Sequence, residues 1–396
     1  MTDYGHEVEF GLFATPAAAS ADDVLALAQV AEVSGLDLVT IQDHPYQAAH
    51  LDAWTLLSVI AARTSTVRVA LNVANLPLRN PVVLAGSVAS LDLLTGGRVE
   101  LGLGTGAFWQ AIEAAGGRRL TPGDSVDALE EAVAIIRGLW AGRGNVRVDG
   151  VHHRAVGLHA GPAPAHPVGI WIGAYKPRML RLTGRLADGW LPSMGPAAPD
   201  ALGPMNTAID DAAVAAGRAP LAIRRLYNIS GRFGSSAGML QGRPGDWAEQ
   251  LAGLTLQEGM STYILATDDP DDVRRFGEEV APLVRDLVAV ERERRAATPA
   301  PGSAAPATPT DSANSATSSN PATSTNSSKP PNPADAATPA SGEPAPPTAE
   351  RATYAGAVVG IPTPCRGADP RRRHPAHGGA ALGRGVPTHL SGATGR

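Results

Sequence analysis

The sequence predicts an α/β fold of the (β/α)8 TIM-barrel type, and three observations predict it. Strand-like and helix-like segments alternate strictly; they count to eight of each; and the stretch holding them, residues 1–295 of 396, has the size usual for such a barrel. Strict alternation implies parallel strands, because a parallel pair needs a crossover and the crossovers are the helices. A doubly wound open sheet is the alternative topology for the same alternation.

The first strand is VEFGLFA (8–14). Its helix is ADDVLALAQVAEVSG (21–35), with Ser20 as N-cap, Asp23 three residues on and Gly35 as the stop. LDLVTIQD (36–43) and AWTLLSVIAARTS (53–65) form the second pair. VRVALNVANL (67–76) and PVVLAGSVASLDLLTGG (81–97) form the third, the helix opening on Pro81 and closing on glycines. RVELGLG (98–104) is the fourth strand; SVDALEEAVAIIRGLW (125–140) is the fourth helix, with Asp124 as its expected cap. GIWIGA (169–174), PRMLRLTGRLAD (177–188) and GWLPS (189–193) continue as strand, helix, strand. A helix across 204–217, IRRLYNIS (223–230), WAEQLAGLTLQEG (247–259), STYILAT (261–267) and DDVRRFGEEVAPLVRDLVAVERE (271–293) complete the alternation. NVRVDGVHHRAVGL, inside 143–168, breaks the repeat and reads as a small hairpin inserted after the fourth helix.

Composition narrows the function classes. Hydrophobic residues make up 43% of the chain, enough for a substantial core, and the net charge of −5 argues against a nucleic-acid partner. No apolar run is long enough to span a membrane, and the start, MTDYGHEVEF, has neither a basic nor an apolar signal region, so a cytoplasmic location is expected. Cys365 is the sole cysteine, which removes disulfides, thiol chemistry and cysteine-built metal sites; no metal is expected. From residue 296 to 396 the text is rich in Pro, Ala, Ser, Thr and Asn, with almost no large apolar side chain. Such a segment cannot offset its ordering entropy and is expected to be a disordered, mildly basic tail on an acidic barrel.

The stretch GRVELGLGTGAFW (97–109) contains Gly102-x-Gly104-x-x-Ala107, a loose form of the dinucleotide-binding fingerprint. That fingerprint belongs on a first strand, with an acidic residue ending the second. Here the glycines end the fourth strand, and Asp124 reads as a helix cap. They therefore sit at the C-terminal end of a barrel strand, where active sites of this fold are built. Val99, Leu101 and Leu103 alternate toward the helix layer, so the glycines face inward and leave room for a flat ligand at the mouth. Relief of crowding inside the barrel is the plain structural account of the same glycines.

Taken together, IQDH, LDLLTGGRVELGLGTG, LEEAVAIIRGLW and IWIGAYKPRMLRLTGRLADGWLPS resemble the luciferase-like monooxygenase superfamily, and within it the coenzyme F420-dependent oxidoreductase branch. The resemblance covers roughly residues 8–290. It implies a deazaflavin (F420) or a flavin (FMN) at the C-terminal mouth. It places Asp43 and His44 on the ring, His44 taking part in proton transfer. Asn72-Val73 matches the position of a cis peptide that backs the ring, and Asn75, Thr105, Gly106 and the more distant Gln110 match cofactor contacts. Tyr175, Lys176, Arg178 and Met179 match a turn that holds the cofactor phosphate at a helix start, a suitable place for an anion. Lys176 is also the sole lysine of residues 1–295.

One departure bears on the reaction. Where F420-dependent glucose-6-phosphate dehydrogenases carry a catalytic glutamate, this chain has Ala107, followed by Phe108 and Trp109; Glu113 is the nearest carboxylate. The expected function is therefore F420-dependent hydride transfer to or from a small carbonyl, alcohol or enone. An FMN-dependent two-component monooxygenase served by a reductase partner is the alternative, and a flavin-binding protein without turnover is a third reading. Relatives imply a homodimer.

Overall fold

The computed structural model describes residues 2–235 and 237–297. In chain order its elements are β1 (Glu9–Ala14), α1 (Ala21–Val33), β2 (Leu38–Ile41), α2 (Ala53–Arg63), β3 (Arg68–Asn75), α3 (Pro81–Thr95), β4 (Val99–Gly104), the short α4 (Trp109–Ala114) and α5 (Pro122–Trp140). A hairpin of β5 (Asn145–Asp149) and β6 (Arg154–His159) comes next, then β7 (Ile170–Ile172), α6 (Pro177–Leu186), β8 (Gly189–Trp190), α7 (Leu202–Ala215) and β9 (Arg224–Ile229). A small patch of β10 (Arg232–Phe233) and β11 (Gln241–Gly242), then α8 (Pro244–Glu258), β12 (Thr262–Ala266), α9 (Pro270–Arg275) and α10 (Ala281–Ala297) complete the order. The strands β1, β2, β3, β4, β7, β8, β9 and β12 form a closed parallel barrel, with β12 pairing β1. The (β/α)8 expectation is met, and the inserted hairpin is β5 with β6. The expected tail, 296–396, lies outside the described residues except for its first two residues, which continue α10.

Closure forces every second strand residue inward, and these residues stack in layers along the barrel axis. At the N-terminal end the layer is charged: Glu9 pairs with Arg68 (2.7 Å) and Arg224 (3.2 Å), and Arg68 with Glu100 (3.1 Å). The middle layer is apolar, built from Leu38, Ala70, Trp171, Leu226 and Ile264. Toward the mouth it turns polar, with Thr40, Asn72 and Asn228 all buried. Val99, Leu101 and Leu103 face the other way, into the larger core between strands and helices, as the alternation requires.

Three local readings need correction. Ser20 precedes α1, but its side chain makes no capping bond. Asp124 is not the cap of α5; Thr121 is. The Thr121 hydroxyl accepts from the Asp124 amide (3.1 Å) and donates to the Asp124 carboxylate (2.8 Å), and Pro122 opens the helix where its missing N–H costs nothing. The last helix is not continuous: a π-helical turn, Phe276–Val280, separates α9 from α10. Gly277 in that turn lies so close to Ser34 that a Cβ would collide with it.

A buried carboxylate ties the N-terminal end together. Asp92 of α3 is wholly buried and accepts from the amides of Val99 (3.1 Å), Ala165 (2.8 Å) and His166 (3.1 Å), and pairs with His166 Nδ1 (2.9 Å). Glu100 and Asp92 together push His166 from 6.5 up to about 9. Because the folded value lies above the unfolded one, the stabilisation is complete below about pH 6.5 and is lost as pH rises to about 9. Thermal melts across that range are expected to show an alkaline decline that His166→Gln flattens. A variant that declines as steeply as the parent would refute the assignment.

Candidate active site

The strands β2, β3, β4 and β7 are neighbours in the barrel, so their C-terminal ends form one continuous arc of the mouth. Asp43 and His44 follow β2; Asn72, Val73 and Asn75 lie on β3; Thr105 and Gly106 follow β4; and Tyr175, Lys176, Arg178 and Met179 follow β7. Gln110 stands apart from this arc, exposed on α4.

Asp43 is 1% exposed. It accepts two bonds from Arg79, from Nε at 3.0 Å and Nη2 at 2.7 Å, and a third from the Asn75 amide at 3.0 Å. The same Nη2 also reaches Asp52 (2.7 Å), whose other oxygen caps α2 through the Thr55 amide (2.9 Å). Asp43 thus fastens the end of β2 to the end of β3 and, through Arg79, to the start of α2. Its carboxylate is engaged within the protein, which makes it a positioning residue for its neighbour His44.

The His44 imidazole is half-buried and stacks on Tyr46, with centroids 5.4 Å apart and planes 18° apart; Phe108 packs edge-on at 5.5 Å. Its ring nitrogens make no hydrogen bond among the described residues. Burial lowers its pKa below 6.5, and His50 adds to this while Asp43 opposes it. The ring is therefore neutral at neutral pH, with a free nitrogen to accept a proton. The Tyr46 hydroxyl is buried without a partner, and burial pushes it up to about 12.

The peptide between Asn72 and Val73 is cis. A Cβ on Gly104 would lie 2.5 Å from Val73 Cγ2, and one on Gly102 would collide with the Leu71 carbonyl oxygen and lie 3.1 Å from Val73 Cγ1. The room those glycines leave is therefore filled by β3, through the Leu71 carbonyl at Gly102 and Val73 at Gly104, not left open for a ligand, and the half-buried Val73 side chain forms a shelf at the mouth. Asn72 Nδ2 donates to Asn228 Oδ1 (2.7 Å) and to Thr40 (3.2 Å); Asn228 returns a bond to Asn72 (3.1 Å) and donates to Ser193 (3.1 Å). Asn75 is 5% exposed, and its Oδ1 is buried without a partner. Gly106 has φ +89°, and a Cβ there would meet Pro77 Cγ at 2.9 Å, so both conformation and space call for glycine.

At the turn after β7 three of the four expected side chains hold the turn itself. Tyr175 Oη accepts from the Ser193 amide (3.0 Å), Arg178 pairs with Asp127 and donates to the Gly123 carbonyl (3.0 Å), and Met179 lies in the core. Lys176 is exposed, with no partner among the described residues. No side chain caps α6, Pro177 occupies its first turn, and the amides of Arg178 and Met179 find no acceptor among the described residues. Free amides and an ammonium at a helix start suit an anion. The orphaned Asn75 oxygen, the Val73 shelf and this helix end fit a flat ring that has a hydrogen-bonding edge and a phosphate on its side chain.

Thr40, Tyr46, Ser193 and Asn228 escaped the sequence reading. Thr40 and Asn228 carry a signal, since both fall on inward positions of strands whose other inward residues are apolar. Tyr46 and Ser193 lie on loops and carry none. Ala107 is exposed and Phe108 is 54% exposed, so the mouth has no carboxylate there, and Glu113 is tied to Arg119 (2.9 Å).

The sequence model of the luciferase-like monooxygenases matches residues 7–230. The F420-dependent glucose-6-phosphate dehydrogenase of Nocardia farcinica is 30% identical over 233 residues, 56% of this chain and 68% of that one. Among solved structures, the coenzyme F420-dependent tetrahydromethanopterin reductase of Methanopyrus kandleri matches with a TM-score of 0.61 at 18% identity, covering 70% of this chain and 99% of that one. A monooxygenase from Streptomyces bottropensis matches with a TM-score of 0.61 at 20% identity, covering 69% and 99%. At these identities the two structures establish the fold. Among the described residues no helix is long and apolar enough to cross a membrane.

Asp43→Asn leaves Arg79 without its buried counter-charge and is expected to cost about 3 kcal/mol in denaturant unfolding. Asp52→Asn, at the exposed end of the same network, is expected to cost about 1 kcal/mol or less. Equal losses would mean that Asp43 does not anchor the mouth.

Proposed function

Because the chain belongs to the luciferase-like monooxygenase family, we propose that it is an F420-dependent oxidoreductase moving hydride to or from a small organic substrate, with His44 handling the proton. The observation that carries this reading is the neutral, unpartnered imidazole of His44 on the same arc as the uncapped, lysine-bearing start of α6. The named activity of the Nocardia farcinica relative supports it.

When bound, the deazaflavin supplies the carbon that takes or gives the hydride. The chain's own residues do the rest. Lys176 and the amides of Arg178 and Met179 would hold the phosphate, Val73 would back the ring, and the unpartnered Asn75 oxygen would accept from its edge. Thr105 and Gly106, just after β4, would contact the cofactor. His44, neutral at pH 7, accepts the proton of a substrate hydroxyl as its carbon is oxidised, and returns it in the reverse direction. Tyr46 and Phe108 shield that proton from water.

The substrate reading is a carbonyl, alcohol or enone with apolar substituents. Residues 1–295 contain no lysine beyond Lys176 to hold a sugar phosphate, and Ala107 and Phe108 give the wall near His44 an uncharged, apolar character. A second reading, an FMN-dependent monooxygenase supplied by a reductase, draws on the same helix-end phosphate site and on the lack of a carboxylate at Ala107 and Phe108 after β4. A flavin-binding protein without turnover is kept by Ala107 alone. The groove between α2 and α3 is lined by Trp54, Ala61, Ala62, Gly86 and Ser87 beside the exposed Val83 and Leu94, which fits a second copy of this chain and a homodimer.

Equilibrium titration with F420 and with FMN separates the first two readings, and a substrate panel separates both from the third. Lys176→Ala is expected to weaken binding of the preferred cofactor by about 1–2 kcal/mol. An intact variant with parental affinity would return Lys176 to the solvent.

His44→Asn is expected to lower turnover by roughly 10²–10⁴-fold with little change in cofactor affinity. In the oxidising direction the parent's kcat/KM should fall as pH drops through a value below 6.5, where the imidazole becomes protonated, and the variant should lose that limb. A variant that keeps the limb would assign the proton to another group.

A further inference from the structure

The hairpin inserted after α5 presents two adjacent histidines at its tip, and the tip is anchored firmly. Glu131 of α5 accepts the consecutive amides of Val151 (2.8 Å), His152 (2.9 Å) and His153 (2.7 Å). A Cβ on Gly150 would lie 2.5 Å from Glu131 Oε2, so the glycine is what lets the carboxylate reach the turn. The anchoring sets both imidazoles against the C-terminal end of β4. There they line a cavity of about 80 Å³ together with Thr105, Arg118, Ser125 and Leu76.

The polar side chains lining that cavity, Thr105, Arg118, His152 and His153, can all donate, while the Ser125 hydroxyl already donates to the Pro122 carbonyl (3.0 Å). Arg118 makes no ion pair or hydrogen bond among the described residues, and neither does the Thr105 hydroxyl. His152 Nδ1 is buried without a partner. No carboxylate lines the cavity; Glu131 is engaged by its three amides. The first turns of α5 separate this cavity from the start of α6, since Arg178 reaches across to the Gly123 carbonyl and to Asp127 on the other face of the same helix.

We propose that this cavity is a second anion subsite, taking one phosphate or carboxylate group of a ligand whose body lies at the barrel mouth. Arg118 supplies the charge, and Thr105, His152 and His153 supply directed hydrogen bonds. The shared chemistry has two sources, the anionic side chain of the cofactor or an anionic substrate. Only the first of these rests on the proposed function.

The test is titration of inorganic phosphate into the full chain labelled with 15N in histidine, read on the ring resonances. His152→Gln and His153→Gln assign the signals. A saturable shift of both rings is expected, with the dissociation constant raised about tenfold in Arg118→Ala and unchanged in Lys176→Ala. If saturating F420 or FMN abolishes the shift, the cofactor supplies the anion. If the shift persists with cofactor bound, the subsite belongs to substrate. No saturable shift, or parental affinity in a folded Arg118→Ala, overturns the proposal. A chain that binds neither cofactor yet shows the shift would overturn the proposed function and leave the subsite standing.

Discussion

The constraint on which the rest depends is the filling of the barrel. Eight parallel strands that close on themselves must send alternate side chains into a space with no water to satisfy them. Near the mouth that demand is met by a reciprocal amide pair, Asn72 on β3 with Asn228 on β9, braced by Thr40 and Ser193. Thr40 in turn donates to the Leu12 carbonyl (3.0 Å), so the chain of bonds runs from β1 through β2 and β3 to β9 and to Ser193 beyond β8. Removing either asparagine amide would leave its partner's groups unpaired inside the barrel, at about 1–3 kcal/mol each. The polar layer is both the ceiling of the apolar interior and the floor of the site.

Above that floor, rigidity is supplied by contacts with no part in the chemistry. Val73 fills the space of Gly104 beside the Leu71 carbonyl at Gly102 and is thereby fixed in place. Asp43 locks β2 to β3 through Arg79 and the Asn75 amide, which places His44 and the Asn75 side chain on either side of that anchor. Tyr175 bridges from the turn after β7 to the end of β8 through Ser193. Each unpartnered group thus sits next to a residue whose own bonds are complete, which is how a site gains precision.

The alternation of strand and helix was readable because each barrel unit must bury one face against the next. The hydrophobic pattern, the Pro and Gly punctuation, and the insertion at 143–168 all followed from that. Asp124 was misread because a cap is decided by which hydroxyl meets which amide, and Thr121 lies three residues earlier behind a proline. The glycines of β4 were assigned to the correct face, yet their occupant, Val73, comes from another strand and is invisible in the local pattern. The resemblance pointed to Asp43, Arg178, Tyr175 and Met179 as contacts; the structure engages their side chains within the protein, whereas the His44 ring, the buried Asn75 oxygen and the exposed Lys176 have no partner among the described residues. Which side chains are already paired depends on partners far along the chain, such as Arg79, 36 residues from Asp43, and Asp127, 51 residues from Arg178, and no periodicity carries that.

The two ends of the barrel treat polar groups in opposite ways. At the N-terminal end Glu9, Arg68, Glu100 and Arg224 pair among themselves, and the carboxylates beside His166 raise its pKa, its buried Nε2 facing Glu100 at 3.8 Å without a hydrogen bond. At the mouth the Tyr46 hydroxyl, His50 Nδ1, Asn75 Oδ1 and His152 Nδ1 are buried without partners, and burial lowers the pKa of His44. A group buried unpaired costs about 1–3 kcal/mol, so four of them gathered near one rim would be a heavy burden on a fold that needed them only for stability. The same imidazole chemistry serves as a fixed cation at one end and as an open acceptor at the other, and what differs is whether the protein supplies the partner. At the mouth it does not, and those atoms stand buried without a hydrogen-bond partner among the described residues.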